Sequence, residues 1–290
     1  VTTSTQPSGL ADQIRRRLGD CTPAERKVGR VLLSAYPSAG FETVAVLAAR
    51  AGVSGPTVVR FVSRLGFSGF PAFQAALRAD LDDRSASPLS LYRSRDVADA
   101  TGADEALARY APAAEEAVRR TFADLPPSDF SRAVDLLARD ARRVLVVGGR
   151  FSRLVGLYLV QHLQQMRPDV EYVTDRPEGR THALADLGHR DVLVVFDYRR
   201  YEKDSARLAQ FAVDRKASVV LFTDVWLSPV ASLADAVLPS DTGTASAYDA
   251  MAPAMALVEA VVSAVLAELG DVAHRRMERI ESVGAALDVF

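Results

Sequence analysis

The sequence predicts an all-α N-terminal domain built around a helix-turn-helix, followed by an α/β domain with a mostly parallel, doubly wound sheet. Three observations carry this expectation. Up to about residue 82 the apolar residues recur only at helical spacing, in short segments separated by Pro and Gly. Beyond residue 142, short continuous apolar runs alternate with amphipathic helical stretches, the pattern of strands buried on both faces. The charge divides the same way: residues 1–85 hold 11 Lys and Arg against 7 Asp and Glu, or +4, which leaves −6 for the rest of a chain whose net charge is −2.

At 290 residues, 49% hydrophobic and 25% charged, the chain is long and apolar enough for two domains. The expected division is residues 1–86 for the helical domain, a polar linker over 87–103, and residues 104–290 for the α/β domain. No stretch joins twenty apolar residues without a charge, and Val1–Leu10 is polar, so neither a membrane span nor a signal peptide is expected. Met251–Leu269 is the most apolar segment; Pro253 and Glu259 interrupt it, and it reads as a core or interface helix. The single cysteine, Cys21, can form neither an internal disulfide nor a thiolate zinc site, which suits a reducing cytoplasm.

In the helical domain, Thr22-Pro23-Ala24-Glu25 places a hydroxyl at the cap, Pro at the first helical position and Glu three residues after the cap, a capping box. Val28, Val31, Leu32 and Ala35 then mark one buried face. A second helix is expected over about Thr43–Ala51, stopped by Gly52, and a third over Gly55–Leu65, capped by Ser54. In this third helix Val58, Phe61, Val62 and Leu65 face inward, while Thr57, Arg60 and Arg64 are expected to share the exposed face. Two short helices joined by a glycine turn, the second bearing guanidinium and hydroxyl groups, satisfy what reading the DNA major groove requires. Thr57, Arg60 and Arg64 are therefore candidate base readers, and Ser54, at the helix N-terminus, a candidate phosphate contact.

These motifs have a familiar order. Thr22-Pro23-Ala24-Glu25-Arg26-Lys27-Val28, Ala51-Gly52-Val53-Ser54, Thr57-Val58-Val59-Arg60-Phe61 and Arg64-Leu65-Gly66-Phe67-Ser68-Gly69-Phe70 resemble the DNA-binding domain of RpiR (MurR/RpiR) regulators. The resemblance covers residues 8–82 and implies binding to operator DNA. It also implies a further helix after the Gly-Phe motif, which Pro71–Leu81 can supply.

In the second domain, helices are expected at Asp104–Phe122, Ser128–Asp140, Arg153–Met166 and Lys203–Lys216. Strands are expected at Arg143–Gly148, Val170–Val173, Asp191–Phe196, Ser218–Phe222 and Ala236–Leu238. Ligands of such sheets bind beyond the carboxyl ends of the strands, where this chain carries Gly148-Gly149-Arg150-Phe151-Ser152 and Asp197-Tyr198-Arg199-Arg200-Tyr201-Glu202. Gly149, Arg150, Ser152, Arg199 and Arg200 are the candidate effector residues. Asp191–Val195, Ala217–Asp224 and Ser228-Pro229-Val230 resemble the sugar isomerase (SIS) domain, which implies a phosphosugar effector. The hydroxyl-rich Ser-x-Ser-Gly-x-Thr loop usual in that domain is replaced here by charged residues, so either arginine holds an anionic ligand or Arg199 and Arg200 pair with Asp197 and Glu202 and fill the pocket.

The sequence thus predicts a DNA-binding transcriptional regulator whose operator affinity responds to a small anionic metabolite, a homodimer or homotetramer that is not an enzyme and carries no cofactor or metal. A SIS-type sugar-phosphate isomerase is the alternative. Glu202, His162 and His182 are its available acids and bases, and nothing in their spacing brings them together. The four histidines lack metal-ligand spacing.

Overall fold

A computed structural model of the chain describes residues 10–85, 87–94, 102–174 and 176–289. The chain divides into two compact units that meet in sequence at Ser90–Leu91.

The first unit holds α1 (Leu10–Arg17), α2 (Pro23–Ser34), α3 (Val44–Ala51), α4 (Gly55–Arg64) and α5 (Phe70–Ser85). The capping box forms as its residues require: the Glu25 amide donates to Thr22 Oγ1 at 3.3 Å and the Thr22 amide to Glu25 Oε2 at 2.9 Å. Thr43 caps α3 by accepting from the Val46 amide. The apolar stripes converge on one core in which Ile14, Val28, Leu32, Leu47, Val58, Phe61, Phe73 and Leu77 are fully buried. Asp80 is buried within reach of that core, with its oxygens taken by the Leu10 amide at 3.1 Å and by the Tyr36 hydroxyl; a buried carboxylate needs such partners. Helix α1 lacks a strong sequence signal, because its eight residues hold few apolar positions, and it was not expected.

Residues 87–103, expected as a linker, carry a short helix, α6 (Pro88–Ser94), which crosses the boundary between the units; residues 95–101 lie outside the described residues.

The second unit is a five-stranded, wholly parallel sheet in the order β2-β1-β3-β4-β5. Its strands are β1 (Arg143–Gly148), β2 (Val170–Tyr172), β3 (Asp191–Asp197), β4 (Ser218–Asp224) and β5 (Ala236–Ser240). Side chains alternate between its faces. Val144, Val146, Val194, Phe196, Val220 and Phe222 enter one apolar cluster, and Leu145, Val147, Leu193, Val195, Val219 and Leu221 the other. The first face is covered by α8 (Pro127–Asp135), α9 (Ser152–Met166) and α12 (Ala252–Leu269), the second by α10 (Pro177–Ala185) and α11 (Lys203–Asp214). Helix α7 (Ala103–Asp124) precedes α8, and α13 (Asp271–Ala286) closes the chain.

Helix α12 is long and apolar enough to cross a membrane. Its Ala254, Leu257, Val258, Val261 and Val265, at helical spacing, are instead buried in the core. The helix expected over Ser128–Asp140 stops at Asp135 and ends in a π-type turn, Leu136–Asp140. Arg167, 7% exposed, explains how that turn is tolerated: its guanidinium donates to the carbonyls of Leu137 at 2.5 Å, Ala141 at 2.6 Å and Arg142 at 3.2 Å, which the widened turn leaves open.

Candidate nucleic-acid interface and ligand site

The axes of α3 and α4 bend by 98° across the Gly52-Val53-Ser54 turn, the angle of a helix-turn-helix. Gly52 makes the corner, because its φ of 62° is left-handed and unstrained only for glycine. The Val53 amide then returns to the Ala48 carbonyl at 3.0 Å and closes the end of α3.

The four residues expected to face DNA do not behave alike. Ser54, Arg60 and Arg64 are exposed, as are Val59 and Ser63 beside them. Thr57 is not: at 6% exposure it lies against the core at the first turn of α4, which corrects the expectation that it shares the outer face. Its hydroxyl meets Ser54 Oγ at 2.9 Å and accepts from Arg60 Nη2 at 3.1 Å, so Thr57 ties the helix start to the Arg60 guanidinium. Ser54 makes no side-chain cap bond and spends its hydroxyl on this contact. Arg64 turns back toward α2, with Nε 3.3 Å from Glu25 Oε2 and Nη1 donating to the Asp20 carbonyl at 3.3 Å. Burial works against the Glu25 charge, but the Thr22 amide and hydroxyl and Arg64 outweigh it and hold the carboxyl below its ordinary range. The sequence marks Glu25 only as a capping residue; that it also orders Arg64, 39 positions away, follows from the packing of α2 on α4.

In the second unit the strand order reverses between β1 and β3, and the loops after these two strands flank that switch point, where ligands of such sheets bind. Gly148 and Gly149 make the close turn into α9. A Cβ on Gly148 would stand 2.9 Å from the Arg153 backbone, and one on Gly149 would stand 2.9 Å from Glu202 Oε1. Ser152 is 5% exposed, and its hydroxyl accepts from the Gly149 amide at 3.0 Å and donates to the Phe196 carbonyl at 2.9 Å.

The loop after β3 is held from beneath by two buried carboxylates. Asp197 accepts from the Glu202 amide at 3.1 Å and from the Ser228 hydroxyl; burial raises its pKa against these bonds. Asp224, at the end of β4, accepts from the Tyr201 hydroxyl at 2.6 Å and the Trp226 amide at 3.0 Å, and burial pushes its carboxyl up to about 6. The side chain of Arg199 is 3% exposed, 3.2 Å from Asp249 Oδ2 and stacked over the Trp226 ring at 4.3 Å from its centre. It braces the loops in this structure, with Asp249 and Trp226 against it and its charge acting on Asp224. Arg150 and Arg200 remain exposed at the rim. His182, on α10, is exposed, and His162, on α9, stacks edge-on against Tyr158; of the three nominated acids and bases only Glu202 stands beside Gly149.

Comparison with known proteins agrees with both units. The family model of the helix-turn-helix domain, rpiR family, matches residues 8–84, and that of the SIS domain matches residues 137–264. The chain is 30% identical over 238 residues to the HTH-type transcriptional regulator HexR of Pseudomonas aeruginosa, covering 80% of each chain. The sugar isomerase domain of an RpiR transcription factor from Sphaerobacter thermophilus superposes with a TM-score of 0.55 at 23% identity, over 58% of this chain and 94% of that one. The Vibrio vulnificus NanR protein complexed with ManNAc-6P superposes with a TM-score of 0.52 at 20% identity, over 96% of this chain and 98% of that one.

Proposed function

Because the chain belongs to the rpiR family of helix-turn-helix regulators, and is a DNA-binding transcriptional regulator with a SIS domain, we propose how its residues divide the task. Arg60 reads a base edge in the major groove, oriented by Thr57, and Ser54 and Arg64 contact phosphates on either side of it. The observation that carries this reading is the Ser54–Thr57–Arg60 chain of contacts, which fixes an exposed guanidinium one turn into α4. A fixed guanidinium can bond guanine in a bidentate way at little entropic cost. Two such heads, brought together in a homodimer or homotetramer, enter successive major grooves of a roughly palindromic operator.

The SIS domain senses a small anionic metabolite at the crevice bounded by Gly149, Ser152 and the loop after β3, with Arg150 and Arg200 supplying positive charge. A phosphosugar is the class supported by the family and by the ligand of the NanR protein. The protein works in the cytoplasm, and its SIS domain senses without catalysing. The isomerase alternative has one observation in its favour, the Glu202 carboxylate beside Gly149; of the other groups nominated with it, His162 packs on Tyr158 and His182 is exposed on α10. Fluorescence anisotropy on DNA from upstream of the protein's own gene, against shuffled DNA of equal length, tests the regulator reading: selective binding that weakens with salt is expected, and equal, feeble binding to both would count against it. Turnover of aldose or ketose phosphates followed by NMR would restore the isomerase.

A further inference from the structure

The turn over Gly149 is overlooked by a carboxylate. Two donors at the turn are already committed, the Gly149 amide to Ser152 Oγ and the Ser152 hydroxyl to the Phe196 carbonyl. Ser152 therefore offers no proton to an incoming oxygen. Arg199 is spent on Asp249 and Trp226. What stands over the turn is an acceptor: Glu202 Oε1 and Cδ lie 2.9 and 3.3 Å from the point where a Cβ on Gly149 would be. Glu202 is the N-cap residue of α11 but makes no side-chain cap bond there, so its carboxylate is free of that duty. Its backbone is fixed by the bond from its amide to Asp197 Oδ1, itself braced by Ser228. Asp197 and Asp224 add two further buried carboxyl groups beneath the loop, and a second anion brought beside them would meet like charge.

We infer that Glu202 is the specificity-determining residue of the SIS crevice: it excludes a phosphate from the turn over Gly149 and accepts a hydroxyl or ammonium group of the effector there. Any phosphate or carboxylate the effector carries is left to Arg150 and Arg200 at the rim. This rests on the reading of the crevice as the effector site and sets the orientation of the ligand within it.

The test is calorimetric titration of inorganic phosphate into the full-length protein and into Glu202→Gln and Glu202→Ala. The site of binding is followed through the NMR shift of the Gly149 amide, and thermal melting verifies that the variants fold. Removing one charge at contact distance is expected to tighten phosphate binding roughly tenfold or more in both variants, with a Gly149 shift that the wild type lacks. Phosphate affinity unchanged in both folded variants, or a gain without any Gly149 shift, would overturn the role given to Glu202. The effector reading is judged separately, by whether metabolites alter operator binding by the wild type; its failure would leave the phosphate result standing as chemistry of the crevice.

Discussion

Arg60 and Arg64 leave α4 one turn apart and are held differently, Arg60 by a neutral hydroxyl on its own helix and Arg64 by the buried carboxylate of Glu25. A base reader gains from the first arrangement, because a hydroxyl fixes direction without neutralising charge. Arg60→Ala is therefore expected to cost about 1–3 kcal/mol in operator affinity and to relax sequence preference; an equal loss on operator and shuffled DNA would make it a phosphate contact. Thr57→Val keeps the buried shape but removes the hydroxyl, and is expected to weaken operator binding by about 1 kcal/mol while leaving binding to shuffled DNA unchanged in the same anisotropy assay. Helical spacing grouped Thr57 with the two arginines, but the first turn of α4 packs on its own core, so spacing alone misjudged its exposure. Asp224 shows the same limit in the second unit: as the last residue of a strand it looks ordinary, and only burial lifts its carboxyl from 3.8 to about 6. Since the folded value is the higher one, its contribution to stability is complete below about pH 4 and is lost as pH rises through 6. Asp224→Asn, which cannot ionise, is expected to gain up to about 3 kcal/mol relative to the wild type between pH 4 and pH 8, read from denaturant unfolding at the two pH values.

At the scale of elements, the strands were the most legible part of the chain. Short continuous Val- and Leu-rich runs that alternate with amphipathic helices suit parallel strands covered on both faces, and β1 occupies the six residues expected of it, Arg143–Gly148. Helices with a chemical start signal were equally plain, α2 from its capping box and α4 from Pro56 in its first turn, although Ser54 occupies the cap position without the expected side-chain bond. Helices α1, α6, α10 and α13 were missed. They are short or polar, and they are held by packing and by contacts distant in sequence, such as the bond from the Leu10 amide to Asp80. The α2 capping box carries two duties, since Glu25 closes the helix start and also meets Arg64. Thr22→Ala is expected to cost about 1 kcal/mol of local stability, seen as faster hydrogen exchange of the first α2 amides. Exchange unchanged in α2 would show that tertiary packing alone holds its start.

For the whole molecule, the division of charge between +4 and −6 assigns the polyanion to the first unit, and the family places a sensor after it. The order of domains and a mostly parallel sheet covered on both faces were readable from the sequence, but the strand order that sets the switch point was not. The wiring of the crevice was not, because the partners of Arg199 lie 27 and 50 positions further along the chain and loop residues carry no periodicity. Coupling between the units requires that an effector bind one arrangement of the heads better than another; a ligand indifferent to the two would change nothing. The most direct measurement is operator anisotropy of the full-length protein at fixed salt, titrated with a panel of phosphorylated and carboxylated sugars. A saturable shift in operator affinity caused by one member, abolished when the rim charges are removed in Arg150→Ala/Arg200→Ala, is the expected result. Selective operator binding that no member of the panel alters would contradict the account.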